Sequence, residues 1–246
     1  MGKDEFEKEE FGKEDPMIGE QAGTTSEDGE EFAPPFMYEE EEMEIVESHI
    51  SEYFGKFSMV MHEIFSPDVH VDICLIPPRP QEGKDYFTLV TMGMGSYCMN
   101  VPEELADQKL TRAELLINLP ADWHMGHEDF QDECWYWPVR LLKTIARLPL
   151  EEDSWIGWGH TVGMEEGETY AGNTKLCGSM LVTADMFGED SFYCTLPNGD
   201  DVNFYQLLPL YEEELEFKFA NNASALLERF PEELLGVVGI NRPKVV

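Results

Sequence analysis

The residues best equipped for chemistry sit in one short stretch: His62-Glu63, Asp68, His70 and Asp72. Imidazole and carboxylate together are the ligand types of zinc or iron(II). On a strand, His70 and Asp72 are two residues apart and share a face, so both reach one ion. His62 and Glu63 would then approach from a neighbouring strand. The helical metal motif with a second His four positions after the first is missing, since Ser66 stands there. A hydrogen-bonded polar seam that fixes a turn accounts for the same residues. A metal-dependent enzyme using His62, Glu63, His70 and Asp72 is thus an alternative reading. The leading expectation is no metal and no cofactor.

Other candidates are weaker. His124 and His127, near Glu128, Asp129, Asp132 and Cys134, suit adventitious divalent ions better than catalysis. Gly93-Met94-Gly95-Ser96 lacks the lysine of a phosphate-binding loop. Gly199-Asp200-Asp201 falls where a hairpin turn calls for Asn, Gly and Asp anyway. The five cysteines are widely spaced with no CxxC, and no histidine is placed to activate one. They read as reduced, mostly packed thiols of a cytosolic protein.

The elements that would carry these residues follow from periodicity. Met43, Val46, Ile50, Tyr53 and Phe54 predict a helix from Glu39, ended by Gly55. Strands are predicted over 57–65, 69–76, 86–92 and 112–119. In the second of these, Val69, Val71, Ile73 and Leu75 face one way and His70, Asp72 and Cys74 the other. Pro138 suits the first position of a helix, with Leu141, Leu142, Ile145 and Leu148 as its buried stripe and Pro149 as its end. Arg140, Lys143 and Arg147 form the densest basic patch, on the other face. Extended segments are expected over 154–160 and 176–183. Segments 191–196 and 202–208 flank Pro197-Asn198-Gly199-Asp200 as a hairpin. Tyr211, Leu215 and Phe219 mark another helix, and 223–230 a short last one. Strands cluster instead of alternating with helices. The expected class is therefore α+β, with a mixed, largely antiparallel sheet flanked by helices in a single compact domain.

Charge dominates the composition. In 246 residues, 51 acids face 16 bases, a formal net charge of −35. Such a chain repels nucleic acid and anionic membranes and attracts cationic proteins. No apolar run approaches the ~20 residues of a membrane span, and Met1 to Asp15 shows no apolar core of a secretory signal. Residues 1–44 alone hold 17 acids and 3 bases. Residues 1–38 are expected to be a disordered acidic tail and 39–246 the folded domain. At 42% hydrophobic residues, the chain has ample material for a core. The acids expected to meet a cationic partner are Glu151, Glu152 and Asp153, then Asp200 and Asp201, then Glu212, Glu213 and Glu214.

Several motifs together resemble bacterial suppressor-of-fused-like domains. They include Met61-His62-Glu63-Ile64-Phe65-Ser66-Pro67-Asp68-Val69-His70-Val71-Asp72, the run Tyr86 to Met94, Leu115-Leu116-Ile117-Asn118-Leu119-Pro120, Trp137-Pro138-Val139-Arg140, Gly159-His160-Thr161 and Val202 to Glu214. Tyr170-Ala171-Gly172 departs from the family's usual lead into Asn173-Thr174. The resemblance runs from about 45 to 246. It implies a globular module that binds other proteins without catalysis. The animal relative sequesters a transcription factor by clamping an extended peptide. Bacterial relatives are commonly inferred to be immunity proteins against polymorphic toxins, many of them nucleases. The partner so implied is a basic toxin domain or an extended peptide, met in the cytoplasm.

Overall fold

A computed structural model describes residues 34–246. The first 33 residues of the expected tail lie outside this range. Residues 34–38, assigned to the tail by composition, belong to the fold. Phe36 forms a parallel bridge with Val69, and Tyr38 is buried with its hydroxyl on Glu114. Two aromatic side chains outweighed the acidic surroundings.

Helix α1 (Glu40–His49) opens with Glu42 accepting the Glu39 backbone N–H, and continues through one wider turn, Ile50–Phe54. Gly55 ends it with φ of 124°, a conformation closed to most other residues. Eight strands form one sheet: β1 (Met59–Met61), β2 (Asp72–Ile76), β3 (Tyr86–Met92), β4 (Arg112–Pro120), β5 (Thr161–Gly163), β6 (Gly178–Thr183), β7 (Tyr193–Thr195) and β8 (Asp201–Leu210). Their order is β1-β2-β3-β4-β8-β6-β5, and β7 also pairs with β8. Only β4 and β8 are parallel. The α+β class with a mixed, mostly antiparallel sheet is what the structure shows.

Both faces of the sheet are covered, which is why the central strands read as nearly continuous apolar runs. Helix α2 (Glu133–Glu151) lays Leu141, Leu142 and Ile145 against Ile73, Leu75, Leu115, Ile117 and Leu207. On the opposite face Val46, Ile50 and Phe54 meet Cys74, Ile76, Val90, Leu116 and Phe204. Further along that face, α3 (Glu212–Ala220) and α4 (Ala223–Leu227) bring Leu215 and Leu226 onto Met180, Val182, Leu208 and Leu210. The expected alternation from Val69 to Cys74 holds, although hydrogen-bonded strand begins only at Asp72. Each fully buried Leu, Ile or Phe contributes about 1.5–3 kcal/mol.

Three expectations need correction. Strand 57–65 shrinks to three residues, because 62–66 turn to place Glu63 and Ser66 in a polar network. Helix α2 starts at Glu133, capped by Asp132, whose carboxylate accepts the Cys134 N–H at 2.9 Å. Pro138 therefore lies inside the helix, as does Pro149 near its end. The Cys134 carbonyl, which Pro138 cannot serve, accepts instead from Asn173 Nδ2 at 3.0 Å. Segment 154–160 carries no strand, and the edge strand β5 follows it.

The cysteines follow their packing. Cys98 is exposed, whereas burial pushes the thiols of Cys74 and Cys194 up to about 12. In the native protein iodoacetamide should alkylate Cys98 and leave Cys74 and Cys194 intact until denaturant is added. Mass spectrometry of the labelled peptides checks this; labelling of Cys74 as fast as Cys98 would contradict it.

Candidate functional site

The stretch richest in chemistry does assemble. Asp72 accepts from His62 Nδ1 at 2.8 Å, His70 Nε2 at 3.0 Å and the Glu63 N–H at 2.9 Å. Ser66 Oγ donates to Glu63 Oε2 and lies 2.8 Å from His70 Nδ1. Helix α2 supplies the cations: Arg147 reaches Glu63, Asp68 and the Val69 carbonyl, and Lys143 reaches Glu63 at 3.3 Å. Of the basic patch read from the sequence, Lys143 and Arg147 are thus consumed by these acids, while Arg140 pairs with Glu133 at 3.0 Å. Burial raises the Glu63 carboxyl, but Ser66, the Val71 N–H, Lys143 and Arg147 outweigh it and hold it below its ordinary value. Among the described residues no group of three His, Cys, Asp or Glu has the geometry to hold a metal ion. The cluster is an ion-pair lock that ties the turn between β1 and β2 to α2. His124 stacks on Trp135 at 4.0 Å and meets Asp129 at 3.3 Å on the surface.

The acids expected to face a partner divide. Glu151, Glu152 and Asp153 are exposed at the C-terminal end of α2. Asp200 pairs with Arg112 at 2.9 Å and Asp201 with Lys109 at 3.3 Å, so both are partly neutralised at the hairpin. Glu214 is a correction: it is 0% exposed and neutralised by Arg242, so it cannot meet a partner. Its neighbours Glu212 and Glu213 stay on the surface, and Lys244 holds the Glu213 carboxyl below its ordinary value.

Those two glutamates border a groove that sequence reasoning missed. It encloses about 590 Å³ beside β5, with Met164, Cys177, Tyr211 and Leu215 among its lining. Glu165, Glu166 and Glu168 join Glu212 and Glu213 around it, opposed by Lys175 and Lys244. The signal was the Met164-Glu165-Glu166-Gly167-Glu168 run, but nothing local says that it folds beside residues 211–215.

Strand β5 forms one border of the sheet, and β6 is its partner in the strand order. The His160 carbonyl accepts from Leu181 N–H, and the Met164 N–H donates to the Cys177 carbonyl. By antiparallel alternation, the backbone groups of Thr161 and Gly163 therefore point away from β6. At the other end of β5, Trp158 and Phe219 are 44% and 69% exposed and line a shared shallow depression with His160 and Lys218. The surroundings of β5 thus offer backbone hydrogen bonds, exposed aromatic rings and a negative groove.

Comparison with known proteins places this architecture. The family model described as suppressor of fused protein (SUFU) matches residues 67–243. An uncharacterized protein of Ureaplasma parvum is 27% identical over 217 residues, covering 86% of this chain and 98% of the relative. A SUFU homologue from Neisseria gonorrhoeae superposes with a TM-score of 0.58 at 18% identity, over 83% of this chain and 97% of that one. The Sufu–Fu complex gives 0.58 at 12% identity, over 86% and 93%. Drosophila Suppressor of Fused gives 0.54 at 14% identity; 85% of this chain is covered, but only 53% of the fly protein. At these identities the structural matches establish a shared fold. With the family model spanning well over half of its length, this chain belongs to the suppressor of fused (SUFU) family.

Proposed function

We propose that the protein works by binding another protein, without catalysis, and that a cationic extended segment of the partner adds to the sheet at β5. The observation that carries this reading is the outward-facing backbone of Thr161 and Gly163 beside a groove rimmed by five glutamates. Main-chain hydrogen bonds supply affinity in this mode, and side-chain pockets supply selectivity. That one structural relative was solved as the Sufu–Fu complex supports a protein-binding use of the fold.

The partner we infer is a basic toxin domain, which makes this chain an immunity protein. A nuclease must hold phosphates and is therefore positive where it works. A net charge of −35 speeds association with such a surface and covers it. Glu151, Glu152 and Asp153 extend the negative field beyond the groove.

The test separates the edge from bulk charge. Thr161→Pro removes an outward N–H while the β5–β6 ladder stays intact. A display library of short extended peptides, panned on the wild-type protein, should enrich Lys- and Arg-containing sequences. Their affinity should fall with added salt and drop roughly tenfold or more on the Thr161→Pro protein, with Tm unchanged. Binding that ignores both ionic strength and the substitution would sink the reading. Co-expression with a basic toxin domain encoded beside the gene tests the immunity role: growth should be rescued by the wild type and not by Thr161→Pro.

A further inference from the structure

A second depression lies away from β5, on the sheet face that carries α1 and α4. It opens between the turn Asp185–Phe187 and the segment 232–237 and encloses about 530 Å³. Val182, Met186, Leu227, Leu235 and Val237 give it apolar walls. Asp185, Glu232 and Glu233 stand around it, and among the described residues no basic side chain lines it. Its shape is fixed from below. Gln206 Nε2 donates to the Leu235 carbonyl at 2.6 Å. Asn118 Nδ2 reaches the Gly236 carbonyl at 2.9 Å and Met186 Sδ at 3.1 Å. Both walls are therefore pinned to the sheet by buried amides, and an occupant meets a preformed groove with little ordering cost.

The topology restricts what can enter. Strand β6 lies between β8 and β5, and β8 is flanked by β4 on one side and by β6 and β7 on the other. Among its lining residues only Val182, Thr183 and Gln206 belong to strands. Gln206 is paired on both sides, and the Val182–Thr183 end of β6, which β5 does not reach, is too short an edge to hold an added strand. A visiting segment must satisfy its own backbone and present side chains, which a helix does. The walls call for an apolar stripe and the rim for positive charge beside it. We propose that this groove docks an amphipathic helix of a protein partner, its apolar stripe flanked by Lys or Arg. It is a second interaction surface, independent of the β5 edge.

The probes are three synthetic peptides. One carries leucines at helical spacing among lysines. The second has the same composition with the leucine stripe scrambled. The third keeps the stripe and replaces lysine with glutamate. Protein labelled with ¹³C at the methionine methyls reports location, with the Met186 resonance assigned by its loss in Met186→Leu. The first peptide should bind and shift the Met186 methyl, and the other two should bind at least about tenfold more weakly. Met186→Lys and the double variant Glu232→Lys, Glu233→Lys should each weaken the first peptide by roughly tenfold with unchanged circular dichroism. Thr161→Pro should leave its affinity as in the wild type, which separates this surface from the β5 site. Equal binding of the scrambled peptide would mean bulk charge attraction and would overturn the proposal. So would a Met186 methyl that does not move, or indifference to both rim and wall variants.

Discussion

Replacing Arg242 with alanine should lower the free energy of unfolding by roughly 3–5 kcal/mol. Arg242 is 9% exposed as a residue, and its carboxylate partner Glu214 is 0% exposed. The guanidinium donates to Glu214 Oε1 at 2.7 Å and Oε2 at 2.5 Å, and to the Pro209 carbonyl at 3.0 Å. Its central carbon lies 4.8 Å from the centre of the Tyr211 ring and 4.7 Å from that of Phe230. Without it Glu214 keeps only the N–H groups of Tyr211 and Val245, and a buried charge loses its counter-ion. The C-terminal segment, held to α3 by this pair, would also loosen. Urea titration of the wild type, Arg242→Ala and the double variant Arg242→Met, Glu214→Gln decides the point. The double variant should recover much of the loss, because no unpaired charge remains. A single variant within about 1 kcal/mol of wild type would show that the pair is not buried in solution.

The second large effect is expected at Glu114, on the α1 side of β4. Its Oε1 accepts from the Tyr38 hydroxyl at 2.8 Å and from the Gly93 and Gly95 N–H groups at 2.9 and 3.0 Å. Its Oε2 accepts from Thr91 at 2.5 Å. Glu114→Ala orphans three donors besides Thr91, each costing about 1–3 kcal/mol. Water entry relieves part of that, so a loss of about 3–5 kcal/mol is expected. Glu114→Gln should cost far less, since the amide oxygen keeps the three acceptor roles and the NH₂ can donate to Thr91.

The glutamine variant also carries a pH signature. Burial raises the Glu114 carboxyl above its usual 4.5 despite its hydrogen bonds. A raised acid holds its proton more tightly when folded. Its contribution is therefore fully present below pH 4.5 and declines as pH rises through the folded value. Glu114→Gln should thus gain on the wild type as pH rises above 4.5. Glu63 has the opposite sign: it is lowered, so its contribution is present above 4.5 and lost as pH falls. Urea midpoints across this range check both. A stability difference between Glu114→Gln and wild type that is flat with pH would contradict the assignment.

The amino-acid sequence by itself determined the elements whose signals are local. Tyr86–Met92 is a run of aromatic, β-branched and apolar residues closed by Gly93, and it forms the strand over those residues. Pro197 to Asp200 marks the β7–β8 turn, and Gly55 ends the first helical segment. The polar cluster around Asp72 was legible too, because its members lie within eleven residues of one another. Its character was not. Whether two imidazoles and two carboxylates hold a metal or an ion-pair lock depends on Arg147 and Lys143, some eighty residues away.

Tertiary structure alone decided the rest. Glu212, Glu213 and Glu214 are three identical letters in a row, yet the third is buried against Arg242 while its neighbours face solvent. Helical geometry turns successive side chains by about 100°, and only the packing of α3 says which of them meets the core. Pro138 reads as a helix start, and it is tolerated inside α2 because Asn173 serves the carbonyl it leaves. Strand β5 is three residues long, too short for periodicity to show. Its edge and its groove exist because residues 164–168 and 211–215 fold side by side, a long-range contact that no local pattern of charge or hydrophobicity encodes.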